Sequence, residues 1–206
     1  MKIITLEVGA IGTNCYIAVN EELKKAVVID PGGDAEVILQ TIAQNELTIE
    51  AIFLTHGHSD HIMALDEVRE ATGAKVYISE ADADMLTKAN KNLSIYMGKG
   101  YEGKAADYFF QDGELINVAG FEFKVVTTPG HTKGGVCLIA GDIAFCGDTI
   151  FAESIGRTDL PGGSYPQILE SIHKKILVLP DDTKLFPGHG PSTTVGWERR
   201  RNPFLQ

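Results

Sequence analysis

The chain has 206 residues, 44% of them hydrophobic and 22% charged, which is enough apolar material for one compact domain with a sizeable core. Its formal net charge of −10 argues against a nucleic-acid backbone as the main partner. No run approaches the roughly 20 apolar residues that span a bilayer, and the opening "MKIITLEVGAIGTN" lacks the features of a signal peptide, so no membrane partner and a cytoplasmic location are expected.

In chain order, "KIITLEV", "CYIAV" and "AVVID" are short and β-branched and read as strands. Residues 34–45 carry apolar positions at helical spacing, with Asp34 as a candidate N-cap. "AIFLT" is a strand that leads into an amphipathic helix over 60–72. "KVYI" is a strand and 79–89 a helical stretch, where Ser79 followed by Asp82 resembles a capping box with the shorter acid. Residues 90–106, "NKNLSIYMGKGYEGKAA", have few apolar anchors and form the candidate mobile loop over a site. The middle of the chain then runs strand to strand. "VAG" between "ELIN" and "FEF", and "AGD" between "VCLIA" and "IAF", are hairpin turns. "FEFKVVTT", "VCLIA", "IAFCG" and "KLFPG" are strands, and helices are expected over 165–178 and 194–201. The basic run "WERRRNPF" suits the C-terminal end of that last helix, where cations meet the macrodipole. The mixture points to an α/β domain over 1–206, with sheets flanked by helices rather than one doubly wound sheet.

The three cysteines, Cys15, Cys137 and Cys146, are too few and too scattered for a disulfide framework and fit a reducing compartment. Cys146 stands two residues before Asp148 and is a secondary candidate ligand.

The stretch "LTHGHSDHI" spends three of the chain's six histidines on one short segment. It follows an apolar strand, so it occupies a loop at a strand's carboxyl end, where sites of open α/β sheets gather. His56 and His58 are two apart and an extended backbone points them to one side. Asp60 and His61 enter the first helical turn, where Asp60 has an alternative reading as an N-cap. One tetrahedral ion would use three or four of these groups. Two ions about 3.5–4 Å apart would use them all if other loops completed the shells. Three other segments repeat one grammar of apolar strand, glycine turn and ligand-type side chain: "VVTTPGHTKGG" with His131, "IAFCGDTIF" with Asp148, and "KLFPGHGPST" with His189. His173, inside "ILESIHKKIL", breaks the grammar and reads as a surface or packing histidine. Asp30 is either a partner that orients a ligand imidazole or a turn-forming residue before Pro31. Thr55, Thr132 and Thr149 adjoin candidate ligands, and Tyr96 and Tyr101 could cover a substrate.

"THGHSDH", followed by "PGHT", "CGDT" and "PGHG", resembles the ordered pattern of the metallo-β-lactamase superfamily over nearly the whole chain. The resemblance implies an αββα sandwich of two mixed sheets flanked by helices, with metals at the edge between the sheets. It implies that His56, His58 and His131 hold one divalent ion, that Asp60, His61 and His189 hold another, and that Asp148 bridges them. An aspartate bridge looks like the glyoxalase II branch more than the classical lactamases, and the segment "DTIFAESIGRTDLPGGSY" is similar to short hydroxyacylglutathione hydrolase-like proteins. Arg157 falls where that branch carries a basic residue for a substrate carboxylate; Lys133 is a second candidate. Longer glyoxalase II enzymes add a C-terminal helical domain with glutathione contacts, which is not expected here.

The implied activity is hydrolysis of a small-molecule thioester such as S-D-lactoylglutathione by a hydroxide shared between two ions, zinc first and iron or manganese next, with Asp60 holding and orienting the nucleophile. A thiolate leaves with little proton donation, which suits the lack of an obvious general acid. The alternatives are a mononuclear iron persulfide dioxygenase, a hydrolase of other esters or lactones, and a non-catalytic metal-binding module. The complete second ligand group counts against the first. Structural zinc sites are usually closed and cysteine-rich, which counts against the last.

Overall fold

Strands whose residues alternate between two apolar environments must be covered on both faces. The second strand shows this, because Cys15, Ile17 and Val19 enter one core while Tyr16 and Ala18 enter another. The computed structural model describes residues 1–98 and 100–206. One six-stranded sheet runs in the order of the chain: β1 (Lys2–Val8), β2 (Thr13–Asn20), β3 (Lys25–Ile29), β4 (Thr48–Phe53), β5 (Lys75–Ser79) and β6 (Tyr108–Phe110). Its first three strands pair antiparallel and the rest parallel, so the sheet is mixed. The second sheet uses β7 (Leu115–Val118), β8 (Phe121–Thr127), β9 (Val136–Ala140), β10 (Ile143–Gly147), β13 (Lys184–Pro187) and β14 (Thr193–Thr194) in the order β14-β13-β10-β9-β8-β7. It is mixed too, since β10 and β13 run parallel. A small hairpin of β11 (Ile150–Phe151) and β12 (Ser154–Ile155) follows β10.

Three apolar layers hold these parts together. Between the sheets lie Phe53, Phe110, Phe123, Leu138 and Phe145. Outside the first sheet, Ile38 and Ile42 of α1 (Ala35–Gln44) and Leu65 and Val68 of α3 (Leu65–Thr72) cover Ile17, Val28 and Ile52. Outside the second, Ile168 of α4 (Tyr165–Ser171), the following Ile172 and Ile176, and Val195 of α5 (Val195–Arg201) cover Cys137, Ala144 and Leu185. The arrangement is the expected αββα sandwich. Phe53 is its best-anchored aromatic, edge-on to Tyr77, Phe110 and Phe123 with centroids 5.2–5.4 Å apart. Truncating it to alanine would cost about 3–5 kcal/mol. Phe53 closes β4 just before the histidine loop, so this packing fixes where that loop begins.

Several local expectations are corrected. The helix over 60–72 is two helices, α2 (Ser59–Ile62) and α3, because the Ala64 N–H donates to the Pro31 carbonyl at 3.0 Å. The 79–89 stretch is a 3-10 turn over Glu80–Leu86 without a side-chain cap, so the capping box at Ser79 and Asp82 does not form. Asp34 precedes α1 in a left-handed conformation, and its carboxylate accepts from Gly9 N–H at 2.8 Å rather than capping the helix. The helix at 165–178 continues past α4 as a π-helical turn over Ile172–Ile176. The loop at 90–106 has polar anchors where apolar ones are scarce: Asn92 and Ser94 are fully buried, and Asn92 donates to the carbonyls of Met85 and Tyr101. Lys99, in that loop, lies outside the described residues. Among the described residues no helix is long and apolar enough to cross a membrane.

Candidate metal centre

Four strand ends meet at one edge of the sandwich. The loop after β4 carries His56 and His58 and runs into α2, whose first turn holds Asp60 and His61. The loops after β8, β10 and β13 carry His131, Asp148 and His189. The two sheets are tied at this edge: Val136 N–H donates to the Thr55 carbonyl at 2.9 Å, and Asn14 N–H to the Gly188 carbonyl at 2.7 Å. Asn14 Nδ2 and Tyr16 Oη also donate to the Pro187 carbonyl.

These ties bring together all seven residues singled out in the sequence. His56, His58 and His131 form one group, and Asp60, His61 and His189 a second. A third, His56, His61 and Asp148, links them, and within each group the ligand atoms lie within 4.8 Å of one another. His58 Nδ1 faces His131 Nε2 at 2.9 Å. Asp60 Oδ2 is 3.1 Å from His189 Nε2 and 3.3 Å from His61 Nε2. Asp148 reaches both sides, with Oδ1 3.4 Å from His61 Nε2 and Oδ2 3.5 Å from His131 Nε2.

The surroundings set the ring nitrogens. His61 Nδ1 donates to Asp30 Oδ2 at 2.9 Å, and His131 Nδ1 to the Arg157 carbonyl at 2.7 Å. Thr55 Oγ1 gives its own proton to Asp30 Oδ2 and lies 3.2 Å from His56 Nδ1, so it is free to accept from that ring. Each contact leaves an Nε2 lone pair facing the cluster. His56 Nε2, His58 Nε2, His61 Nε2 and Asp148 Oδ1 are buried with no hydrogen-bond partner. Leaving such atoms unpaired costs about 1–3 kcal/mol each. A cation would satisfy those that point inward, and the mixed nitrogen and oxygen donors suit zinc, iron or manganese. The residues present therefore fit a divalent metal.

Electrostatics divides the groups. Burial pushes His56 well below the usual imidazole range, helped by its His61, His58 and His131 neighbours. Burial likewise takes His58 down to about 4. Burial acts against ionised Asp60 and Asp148, yet the neighbouring charge of His61 outweighs it and holds both carboxyls low. His61 and His189 are raised despite burial, mainly by Asp60 and Asp148.

Backbone shape explains one discrimination the sequence left open. Strict alternation would put Cys146 and Asp148 on one face. Gly147 has φ +47° at a register shift in β10, which breaks the alternation. Cys146 points into the outer core and donates to the Ala144 carbonyl, so it is no ligand, while Asp148 turns into the cluster. Gly188 is needed for space, since a Cβ there would collide with Asp148 Oδ1 and His61 Cε1. Asp60 does not cap α2; its carboxylate faces Thr13 Oγ1, His61 and His189.

A cavity of about 580 Å³ opens over the cluster, lined by His58, Asp60, His131, Asp148 and His189 and walled by Ile11, Leu93, Tyr96, Phe151, Ile155 and Leu160. Tyr96 is at its rim and 80% exposed. Tyr101 is not; it packs against the outer core with its hydroxyl beside Asp66. Arg157 lines the cavity, with its guanidinium paired to Asp159 at 2.7 Å. Lys133 is exposed outside the lining, and His173 is exposed on the far helical face. Asp30, Thr13, Asn14 and Asp82 all support the cluster. Of these, only Asp30 showed a signal in sequence, through its position at a strand end before Pro31.

A family model described as the metallo-beta-lactamase superfamily matches residues 8–189. The chain belongs to the metallo-β-lactamase superfamily. The hydroxyacylglutathione hydrolase GloC of Haemophilus influenzae is 37% identical to this superfamily member over 209 residues, covering all of this chain and 98% of the relative. The crystal structure of BLEG-1, described as a B3 metallo-beta-lactamase, matches with TM-score 0.95 and 40% identity over 99% of both chains. TTHA1623, solved in a di-iron-bound form, matches with TM-score 0.86 and 34% identity over the whole of both chains.

Proposed function

We propose that the chain is a binuclear metallohydrolase of the glyoxalase II type that cleaves a thioester such as S-D-lactoylglutathione. The observation that carries this reading is the convergence of seven ligand-type side chains, several with buried unpaired donor atoms, beneath one open cavity. His56, His58 and His131 would hold one divalent cation and Asp60, His61 and His189 the other, with Asp148 between them. Bound there, the cations would polarise the acyl carbonyl and bring the pKa of a water toward neutrality.

The chain's own residues supply the rest. Asp60 is anchored by Thr13 Oγ1, so its carboxylate has a fixed direction in which to accept a hydrogen bond from the attacking water and orient it. Ile11, Leu93, Phe151 and Ile155 form an apolar wall suited to excluding bulk water around an acyl group. Arg157 is the cation at the rim, available to a substrate carboxylate that displaces Asp159. As cation ligands Asp60 and Asp148 would both be ionised, so neither is held as a proton donor. An amine leaving group needs such a donor and a thiolate hardly does. This favours a thioester over the amide of a β-lactam, while the relatives divide between GloC, a hydroxyacylglutathione hydrolase, and BLEG-1, described as a B3 metallo-beta-lactamase. The test is hydrolysis of S-D-lactoylglutathione beside other thioesters, lactones and a cephalosporin, on protein of measured metal content with oxygen uptake recorded. Thioester turnover without oxygen uptake supports the proposal; oxygen consumption on a persulfide, or preference for the β-lactam, refutes it.

A further inference from the structure

One buried carboxylate outside the seven is committed to the loops that carry three of them. Asp82 is 2% exposed and sits in the 3-10 turn over Glu80–Leu86. Its Oδ2 accepts from Thr132 Oγ1 at 2.7 Å and its Oδ1 from Gly134 N–H at 2.8 Å. The Gly57 N–H faces the same carboxylate and acts to favour its ionised form. Thr132 follows His131, and Gly57 lies between His56 and His58. The turn is pressed against both loops. A Cβ on Gly57 would sit 2.6 Å from Met85 Cβ, and one on Gly134 2.6 Å from Asp82 Cγ.

The two loops belong to different sheets, since β4 ends in one and β8 and β9 lie in the other. His58 Nδ1 and His131 Nε2, 2.9 Å apart, are therefore brought together across the sandwich edge. A carboxylate with two oxygens can take donors from both sides at once. Among the described residues, none of the hydrogen bonds of Asp82 reaches Asp60, His61 or His189, whose loops are joined instead through Thr13, Asn14 and Tyr16.

We propose that Asp82 is a positioning residue that staples the His56–His58 loop to the His131 loop and thereby sets the cation affinity of that group alone, without touching the cation. The proposal rests on the seven side chains forming a cation centre and not on thioester chemistry. Removing such a supporting group typically weakens metal binding about 10- to 100-fold.

Zinc retained after dialysis against a competing chelator reads this directly in the full chain. The wild type is expected to keep two equivalents and Asp82→Ala one. His189→Ala is expected to lose the other equivalent, so the double variant Asp82→Ala/His189→Ala keeps none. Thr132→Val removes one of the bonds and is expected to lose the same equivalent faster than the wild type; it serves if Asp82→Ala does not fold. Two equivalents kept by the variant, both lost together, or one kept by the double variant overturns the proposal. A wild type that holds fewer than two equivalents overturns the binuclear reading instead.

Discussion

Replacing Asp30 by asparagine keeps the shape of a fully engaged carboxylate and changes only its donors and acceptors. Asp30 Oδ1 accepts from Thr55 N–H at 2.8 Å, and Oδ2 accepts from Thr55 Oγ1 at 2.6 Å and His61 Nδ1 at 2.9 Å. An amide must turn its NH2 toward one side. Turned to the Oδ1 side, it opposes the Thr55 backbone N–H. Turned to the Oδ2 side, it opposes His61 Nδ1–H, which then moves its proton to Nε2, the nitrogen aimed at the cluster. The first leaves a buried donor unpaired at a cost of about 1–3 kcal/mol. The second blocks a ligand atom. Loss of such an orienting partner costs about 10- to 100-fold in metal affinity, or about 1.4–2.7 kcal/mol. Zinc affinity measured by chelator competition, beside urea unfolding of the zinc-free protein, should show these losses. An Asp30→Asn protein that binds zinc as tightly as the wild type would refute the orienting role.

Asp148→Ala and His58→Ala should each abolish turnover and lower bound metal together, while His173→Ala, on an exposed helical face, should leave both largely intact; metal analysis paired with a thioester assay reads this. In the zinc-free protein His58 is held down to about 4 from an ordinary 6.5, so its contribution to stability is present above pH 6.5 and lost as pH falls through about 4. That gap corresponds to about 3 kcal/mol, so zinc-free wild type should lose about that much relative to His58→Gln between pH 7 and pH 4 in urea titrations. Parallel pH profiles would contradict it. Asp159→Ala frees the Arg157 guanidinium and should lower KM for an anionic thioester several-fold while an uncharged one is unaffected, and Arg157→Ala should raise the anionic KM.

Much of the site could be read from the chain because His131, Asp148 and His189 each follow an apolar strand and a glycine turn, and strand ends at one edge of a sandwich are neighbours by topology. His56, His58 and Asp60 needed only local spacing. What escaped depends on distant partners. The break between α2 and α3 comes from the Pro31 carbonyl, which no periodicity within 60–72 reveals. Asp82 stands three residues after Ser79, which imitates a capping box, although its donors are on the His131 loop. Cys146 and Asp148 look equivalent until the bulge at Gly147 separates their faces. Strands β6, β11, β12 and β14 are two or three residues long, too short to show alternation.

The most direct measurement is an anomalous difference map, recorded at the zinc edge, from crystals of zinc-loaded protein. The account predicts two peaks, one ringed by His56, His58 and His131 and one by Asp60, His61 and His189, with Asp148 reaching both. A single peak, or none among these seven side chains, would contradict it.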